Sequence, residues 1–420
     1  MKRSTLPLLV TVLSFVWGVT PALALIEVHP RVAVQEEYND NIYLEADNRA
    51  RDFITTVSPG VTLRWPTDLL NLDLDYGFYF QKYGTNNQED QTSIADTQRG
   101  KGTLTLFPDR NFSVIASDEY SKVYIDPRGP MVDENNFVNK TNLNQLLVHP
   151  QYRWRTSPTF EALFGYTYED LNYQAEEGDD ARGHIGSVEL HKQLGRDFNA
   201  RLLYEIERRS NKWTDDYLRQ MLAAGFSRQF SRRFGVDAQA GAAKIDFKHV
   251  DANDTTHFIG DFSANYALTS LLGSTLHYGE SMMIATIDGL YAHRQADGRL
   301  TYGSANTGPG QNHALATFSL IWSRDNYIQV DRTDRSLGGA VDLRMPLGRY
   351  VALLLGGSYS ILHYRPETEK TNRFGVGAGV EYRVRHLVVA LNYLYRENNS
   401  DIDINDYKNN LVDLTVTLQF

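Results

Sequence analysis

The chain has 420 residues, 42 of them Lys or Arg and 52 Asp or Glu, and it contains no Cys. A formal net charge of −10 excludes the basic surface that nucleic-acid binding requires, and the lack of Cys excludes disulfide frameworks and thiolate metal sites. The 25 Tyr and 19 Phe are many for this length, and a mean hydropathy of −0.42 is compatible with strands that are apolar on one face only.

Lys2 and Arg3 precede a mostly apolar run from Leu6 to Trp17, and Ala22-Leu23-Ala24 supplies small residues at a cleavage position. Residues 1–24 therefore read as a secretory signal peptide, too short in its apolar part to span a bilayer as a helix. Residues 25–420 read as one β domain. Its recurring unit is an alternating strand, a short turn and a second alternating strand. Short turns are expected around Pro66, Asp109, Ser157, Arg196, Ser231, Leu271, Gly348 and Arg385, with a looser one within Gly303 to Asn312. Their spacing of about 40 residues accommodates two strands, one short connection and one longer one.

Longer polar segments lie between these turns, including Asn39 to Arg51, Gly84 to Thr92, Asp126 to Lys140 and Glu397 to Asp406. Short connections on one rim and long ones on the other form the asymmetry of a transmembrane barrel. With an opening strand at Ile26 to Tyr38 and a closing strand at Leu411 to Phe420, the count is about twenty strands, eighteen being the next most probable even number. The expected fold is all-β, a transmembrane antiparallel up-and-down barrel. A soluble sandwich would also alternate, but its strands average about five or six residues, and here alternation often persists for ten or more. Between Asp288 and Asp334 the pattern is hardest to parse; strands are placed at Arg294 to Tyr302 and His313 to Tyr327.

If the apolar face meets lipid, the opposite face lines a pore. That face would carry Asp73, Asp75, Arg153, Arg155, Glu161, Glu189, Arg201, Glu205, Glu207, Asp237, Asp261, Arg344, Arg373, Glu381, Arg383, Arg396 and Asp413. Such acids and bases either pair along the wall and stiffen it or offer weak multi-site contacts to a hydrated solute. Tyr79 and Tyr83 on the same face are candidates for stacking on sugar rings. The histidines, among them His149, His184, His191, His277 and His313, are expected at strand ends or in the lumen as polar wall residues. No HExxH, GxSxG, Walker loop or helix-opening GxGxxG occurs, so no catalytic residue, metal site or cofactor is expected. Acidic runs at Ala175 to Asp180 and Asp401 to Asp406 offer hard oxygen ligands but lack EF-hand spacing, and read as solvated loops.

The last residues, with Val412, Leu414, Val416, Leu418 and Phe420 on one face, resemble the assembly signal of bacterial outer-membrane barrels, whose closing strand ends on Phe. That resemblance implies the outer membrane as location, with its lipids and the barrel assembly machinery as partners. Further segments are EEYNDNIY at Glu36 to Tyr43, DFITTVSPG at Asp52 to Gly60, LDLDY at Leu72 to Tyr76, DRTD at Asp331 to Asp334, YRVRHL at Tyr382 to Leu387 and DYKNN at Asp406 to Asn410. Together they resemble a family of outer-membrane β-barrel porins associated with exopolysaccharide synthesis and export. The resemblance implies a non-enzymatic channel fed by periplasmic polysaccharide-export components, and brings no catalytic residues. An uptake porin, a barrel enzyme acting on lipid or polysaccharide, and a plugged structural or adhesive barrel are the alternatives.

Overall fold

A computed structural model describes residues 26–126, 128–130, 138–248, 255–303, 314–366, 368–402 and 405–420. The signal-peptide reading, His313 and most of the turn expected within Gly303 to Asn312 lie outside them. Strands run in chain order as β1 (Glu27–Asn39), β2 (Asp52–Pro66), β3 (Leu70–Phe78), β4 (Phe80–Tyr83), β5 (Gln98–Leu106), β6 (Phe112–Tyr124) and β7 (Lys140–Ser157). They continue as β8 (Phe160–Tyr173), β9 (Ala181–Gly195), β10 (Phe198–Asn211), β11 (Tyr217–Ser231), β12 (Phe234–Phe247), β13 (Thr255–Ala267) and β14 (Leu272–Ala285). The last are β15 (Gly289–Tyr302), β16 (Leu315–Tyr327), β17 (Thr333–Pro346), β18 (Val351–Arg365), β19 (Lys370–Val384), β20 (Leu387–Ser400) and β21 (Tyr407–Gln419).

Apart from β4, each strand pairs antiparallel with a sequence neighbour, and β1 pairs with β21 from Arg31↔Gln419 to Asn39↔Leu411, which closes the sheet. β3 and β4 share one position: both lie along β2, Gly60↔Gly77 and Val57↔Phe80 belonging to one continuous register. Twenty-one segments therefore make a closed antiparallel barrel of twenty strands. Closure leaves no sheet edge in hydrocarbon. The seam is sealed at its end, where the Phe420 amide donates to the Pro30 carbonyl at 3.0 Å. Among the described residues no helix is long and apolar enough to cross a membrane, so the crossing is made by strands.

The outer face is apolar because the period-two pattern places every second side chain there. Leu202, Leu222, Leu276, Leu320, Leu337 and Leu391 stand exposed around it. Aromatics flank this band: Trp154, Phe230, Tyr266, Tyr302 and Tyr382 towards the short turns, Phe53, Phe258 and Phe374 towards the long loops. Rings at these two depths fit the interfaces of a bilayer. Pro150 sits within β7 and has no amide to donate; the ladder to β8 skips from Val148↔Tyr168 to Gln151↔Gly165 around it.

The largest buried apolar side chains cluster near the long-loop rim, inside the barrel. Ile42 packs with Ile54 and Tyr83, Leu44 with Tyr407 and Val138. The sequence expectation for β15 is corrected here, since the strand begins at Gly289, not Arg294. Its first residues, Gly289 and Leu290, lie beyond the pairing with β16, which starts at Tyr291↔Tyr327, and Leu290 packs with Tyr217 and Ile245.

Candidate functional site: the lumen and its inward-folded mouth

Long side chains on the inner face of a closed sheet converge, so they reach the second strand along as well as the adjacent one. Arg31 on β1 crosses β2 to bind Asp75 on β3 with two bonds of 2.7 and 2.6 Å. The residue it crosses is Gly60, its direct partner on β2; a Cβ there would lie 2.9 Å from the Arg31 Nε. Arg201 on β10 likewise crosses Gly225 on β11 to bind Asp237 on β12 at 2.6 Å and Gln239 at 3.0 Å. Arg209 crosses Gly183 on β9 to bind Glu169 on β8. Glycine in the middle strand is what makes room for the guanidinium.

The acids and bases singled out in the sequence all have inner-face positions, and most have a partner along the wall. Asp73 faces Arg64 at 3.7 Å. Glu161 is held by Arg155 at 2.6 Å and Arg153 at 3.4 Å. Glu381 gathers Arg344 at 2.8 Å and Arg383 at 3.2 Å. Arg219 joins Glu205 at 2.6 Å to Glu207 at 2.8 Å. Glu189 meets His191 at 3.1 Å, and His277 lies between Asp261 at 2.9 Å and Asp297 at 2.8 Å. Asp413 accepts from Asn392 and Thr415. Arg373 donates to Asn398 and to the Gly129 carbonyl of the β6–β7 loop. Arg396 has the inner-face position, and among the described residues no acid pairs with it. Val412, Leu414, Val416 and Leu418 stand exposed on the outer face of β21, and Phe420 is exposed just beyond it.

Accessibility along the wall is graded. Near the short turns Arg64 and Asp73 keep 61 and 67 % of their side-chain surface; near the long loops Arg209 and Glu207 keep 4 and 2 %. The cause is a hairpin that folds into the lumen. β13 and β14 pair only from Gly260↔Glu280 to Ala267↔Gly273, although β14 runs on to Ala285. Beyond Glu280 the end of the β14–β15 hairpin turns away from β13. The side that would have faced lipid, with Met282, Ile284 and Leu290, then packs on inner-wall residues Tyr217 and Ile245. Met282 also touches Ala223, Ala243 and Ile259.

The hairpin tip reaches across the lumen. The Thr286 hydroxyl donates to the Tyr124 carbonyl of β6 at 2.9 Å, and its carbonyl accepts from the Asp179 amide at 2.8 Å. Asp179 is not the solvated loop acid expected from sequence: it is buried, and its carboxylate accepts from the amides of Lys212 and Trp213 and from the Thr214 hydroxyl. Arg332 cross-links the mouth by contacting Asp288 in the turn of the hairpin, Asp334 at 2.6 Å and Asp126 of the β6–β7 loop at 3.5 Å, over the Tyr327 ring. Burial disfavours the Asp126 carboxylate, but hydrogen bonds from Arg128 and the nearby Arg332 charge prevail and hold it below its ordinary range. Tyr83 packs with Ile42 and Ile54 and is shut away from the lumen, which corrects its reading as a sugar platform.

Several partners were not singled out in the sequence. Arg31, Arg64, Arg209 and Arg219 share the period-two face of residues that were, so alternation alone finds them. Arg332, Thr286 and Asp179 sit in connections, where no period identifies them. Among the described residues no three His, Asp or Glu side chains are grouped to hold a metal ion.

Residues 333–420, from β17 to the C-terminus, match the family described as "Putative beta-barrel porin 2". The match covers the last five strands, β17–β21, and over them the chain is similar to β-barrel porins. No curated protein matches the sequence. Among solved structures, the chain resembles a variant of the ferric enterobactin receptor PfeA from Pseudomonas aeruginosa, with a TM-score of 0.52 at 9 % identity, covering 94 % of this chain and 80 % of that one. It also resembles the FrpB iron transporter from Neisseria meningitidis, with a TM-score of 0.51 at 9 % identity, covering 93 % and 81 %. The siderophore receptor PirA from Pseudomonas aeruginosa gives 0.51 at 8 % identity, covering 93 % and 80 %. At such identities the likeness is one of fold.

Proposed function

We propose that this chain is a non-enzymatic channel of the outer membrane through which a hydrated polysaccharide leaves the cell, with the inward-folded hairpin narrowing its long-loop mouth. The observation that carries the reading is the inner wall, where acids and bases are paired to each other from strand to strand. Such a wall offers many polar contacts and little unbalanced charge, so a polar polymer can be held weakly at many points and still move on. A barrel of this size leaves more room than its own side chains fill, since 16–18 strands already enclose an aqueous channel. Here the filling comes from loops, which can rearrange without breaking the barrel. The family resemblance supports an exopolysaccharide as the cargo, with periplasmic export components feeding it.

Deleting the gene tests this. Surface polysaccharide should disappear while intracellular or periplasmic polymer continues to be made. Unchanged surface polysaccharide, together with lost uptake of a small solute, would instead identify an uptake porin.

A further inference from the structure

On the outer face of β15–β19, near the long-loop rim, the strand register aligns Arg294 with Arg324, Arg324 with Arg335, Arg335 with His363 and His363 with Lys370. Arg365, two residues from His363, lies close enough to Arg324 for their charges to interact. With neighbouring strands about 4.8 Å apart, the row runs for roughly 19 Å around the barrel. It borders the apolar band: Trp322 and Leu337 are each two residues further into the membrane and exposed. The row is therefore at headgroup depth.

Elsewhere on the outer face, several basic residues near this rim have acids beside them. Arg182 meets Asp170 at 3.4 Å, Lys244 meets Asp246 at 2.7 Å, and Lys408 meets Glu397 at 3.2 Å. In the row, Arg294 has Glu280 at 2.8 Å and Arg324 donates to Asn326. Arg335, His363, Arg365 and Lys370 are exposed, and no acid pairs with them among the described residues. Four or five like charges held in register repel one another unless an anion joins them.

We infer that this row binds the phosphates of an anionic lipid, specifically the phosphorylated glycolipid of the outer leaflet, which the long-loop rim meets when it faces the cell exterior. The lipid's acyl chains would lie along the adjoining apolar band while its phosphates bridge guanidinium and ammonium groups, the bidentate geometry that Arg favours. This binding needs no transport, so it stands or falls independently of the proposed export.

The test uses the purified full barrel in detergent with lipid A, its dephosphorylated form and phosphatidylglycerol as probes, read by native mass spectrometry. Wild type should retain lipid A over the dephosphorylated form. Combined Arg324→Gln, Arg335→Gln and Lys370→Gln should weaken that retention by at least about tenfold, since each basic residue at a membrane surface contributes attraction. Combined Arg182→Gln and Lys244→Gln, at acid-paired positions, should leave it unchanged. Heat-modifiable migration verifies folding, and the three single variants give the same reading if the triple variant does not fold. The inference is overturned by undiminished lipid A binding in folded variants, or by wild type not distinguishing phosphorylated from dephosphorylated lipid. Phosphatidylglycerol binding as tightly as lipid A, or displacement by inorganic phosphate alone, would also reject the glycolipid as occupant.

Discussion

Glycine opposite arginine is the local device that lets charges meet across a strand of the inner wall. At Gly60 a side chain would press on the Arg31 guanidinium, which has some freedom to move. At Gly225 it would meet both the Arg201 Nε at 2.9 Å and the Ala238 carbonyl at 2.7 Å. Gly225→Val should therefore destabilise the barrel more than Gly60→Val, by about 1–3 kcal/mol as overpacking typically costs, whereas Gly195→Ala, with open space around it, should be nearly neutral. Urea unfolding followed by tryptophan fluorescence measures the order, and equal effects at the three sites would contradict it. The half-exposed pairs towards the short turns should each contribute only about 0–1 kcal/mol. Removing both acids beside buried Arg209, Glu169 and Glu207, should cost more, about 3–5 kcal/mol for a charge left without partners.

At the scale of elements, the β14–β15 hairpin departs most from a regular barrel, and its second strand opens the stretch least legible in the sequence, Asp288 to Asp334. Its apolar residues Met282, Ile284 and Leu290 keep the lipid-facing side of the alternation, yet they pack on the inner wall because the hairpin bends inwards beyond Glu280. Alternation specifies which residues share a face and says nothing about whether that face meets lipid or protein. The straight strands were readable because each has one environment along its whole length, as in Phe374, Val376 and Val380. The eight tighter turn positions and the count of twenty followed from the same regularity. The contacts of Arg332, Thr286 and Asp179 were not readable, because they join connections distant in sequence.

Those contacts make the mouth sensitive to acid. Asp126 is held below its ordinary pKa, so its contribution is present above the unfolded value of about 4 and is lost as pH falls through the lower folded value. Planar-bilayer conductance should rise as the pH drops below about 4. Arg332→Gln, which removes the partner shared by Asp126, Asp288 and Asp334, should raise conductance already at neutral pH and flatten this dependence. A variant with wild-type conductance at both pH values would show that Arg332 does not hold the mouth closed.

At the scale of the whole molecule, lipid lies outside, a paired polar wall lies inside, and one rim is filled by its own loops. Closure depends on the β1–β21 seam, where the Phe420 amide bonds Pro30, its carbonyl lies 3.1 Å from the His29 Nδ1, and its ring stacks on His386. Deleting Phe420 should reduce the fraction of chain recovered as heat-modifiable barrel from the outer membrane, and unchanged recovery would mean that the terminal ring is dispensable for assembly.

The lumen is wide and polar, and the inward-folded β14–β15 hairpin obstructs its long-loop mouth. Single-channel conductance of the purified barrel, compared with a variant in which residues 283–290 are replaced by a two-residue turn, tests it most directly. The wild type should conduct weakly and the shortened variant should form a steady pore with severalfold higher conductance. Equal conductance in the two proteins would contradict this obstruction.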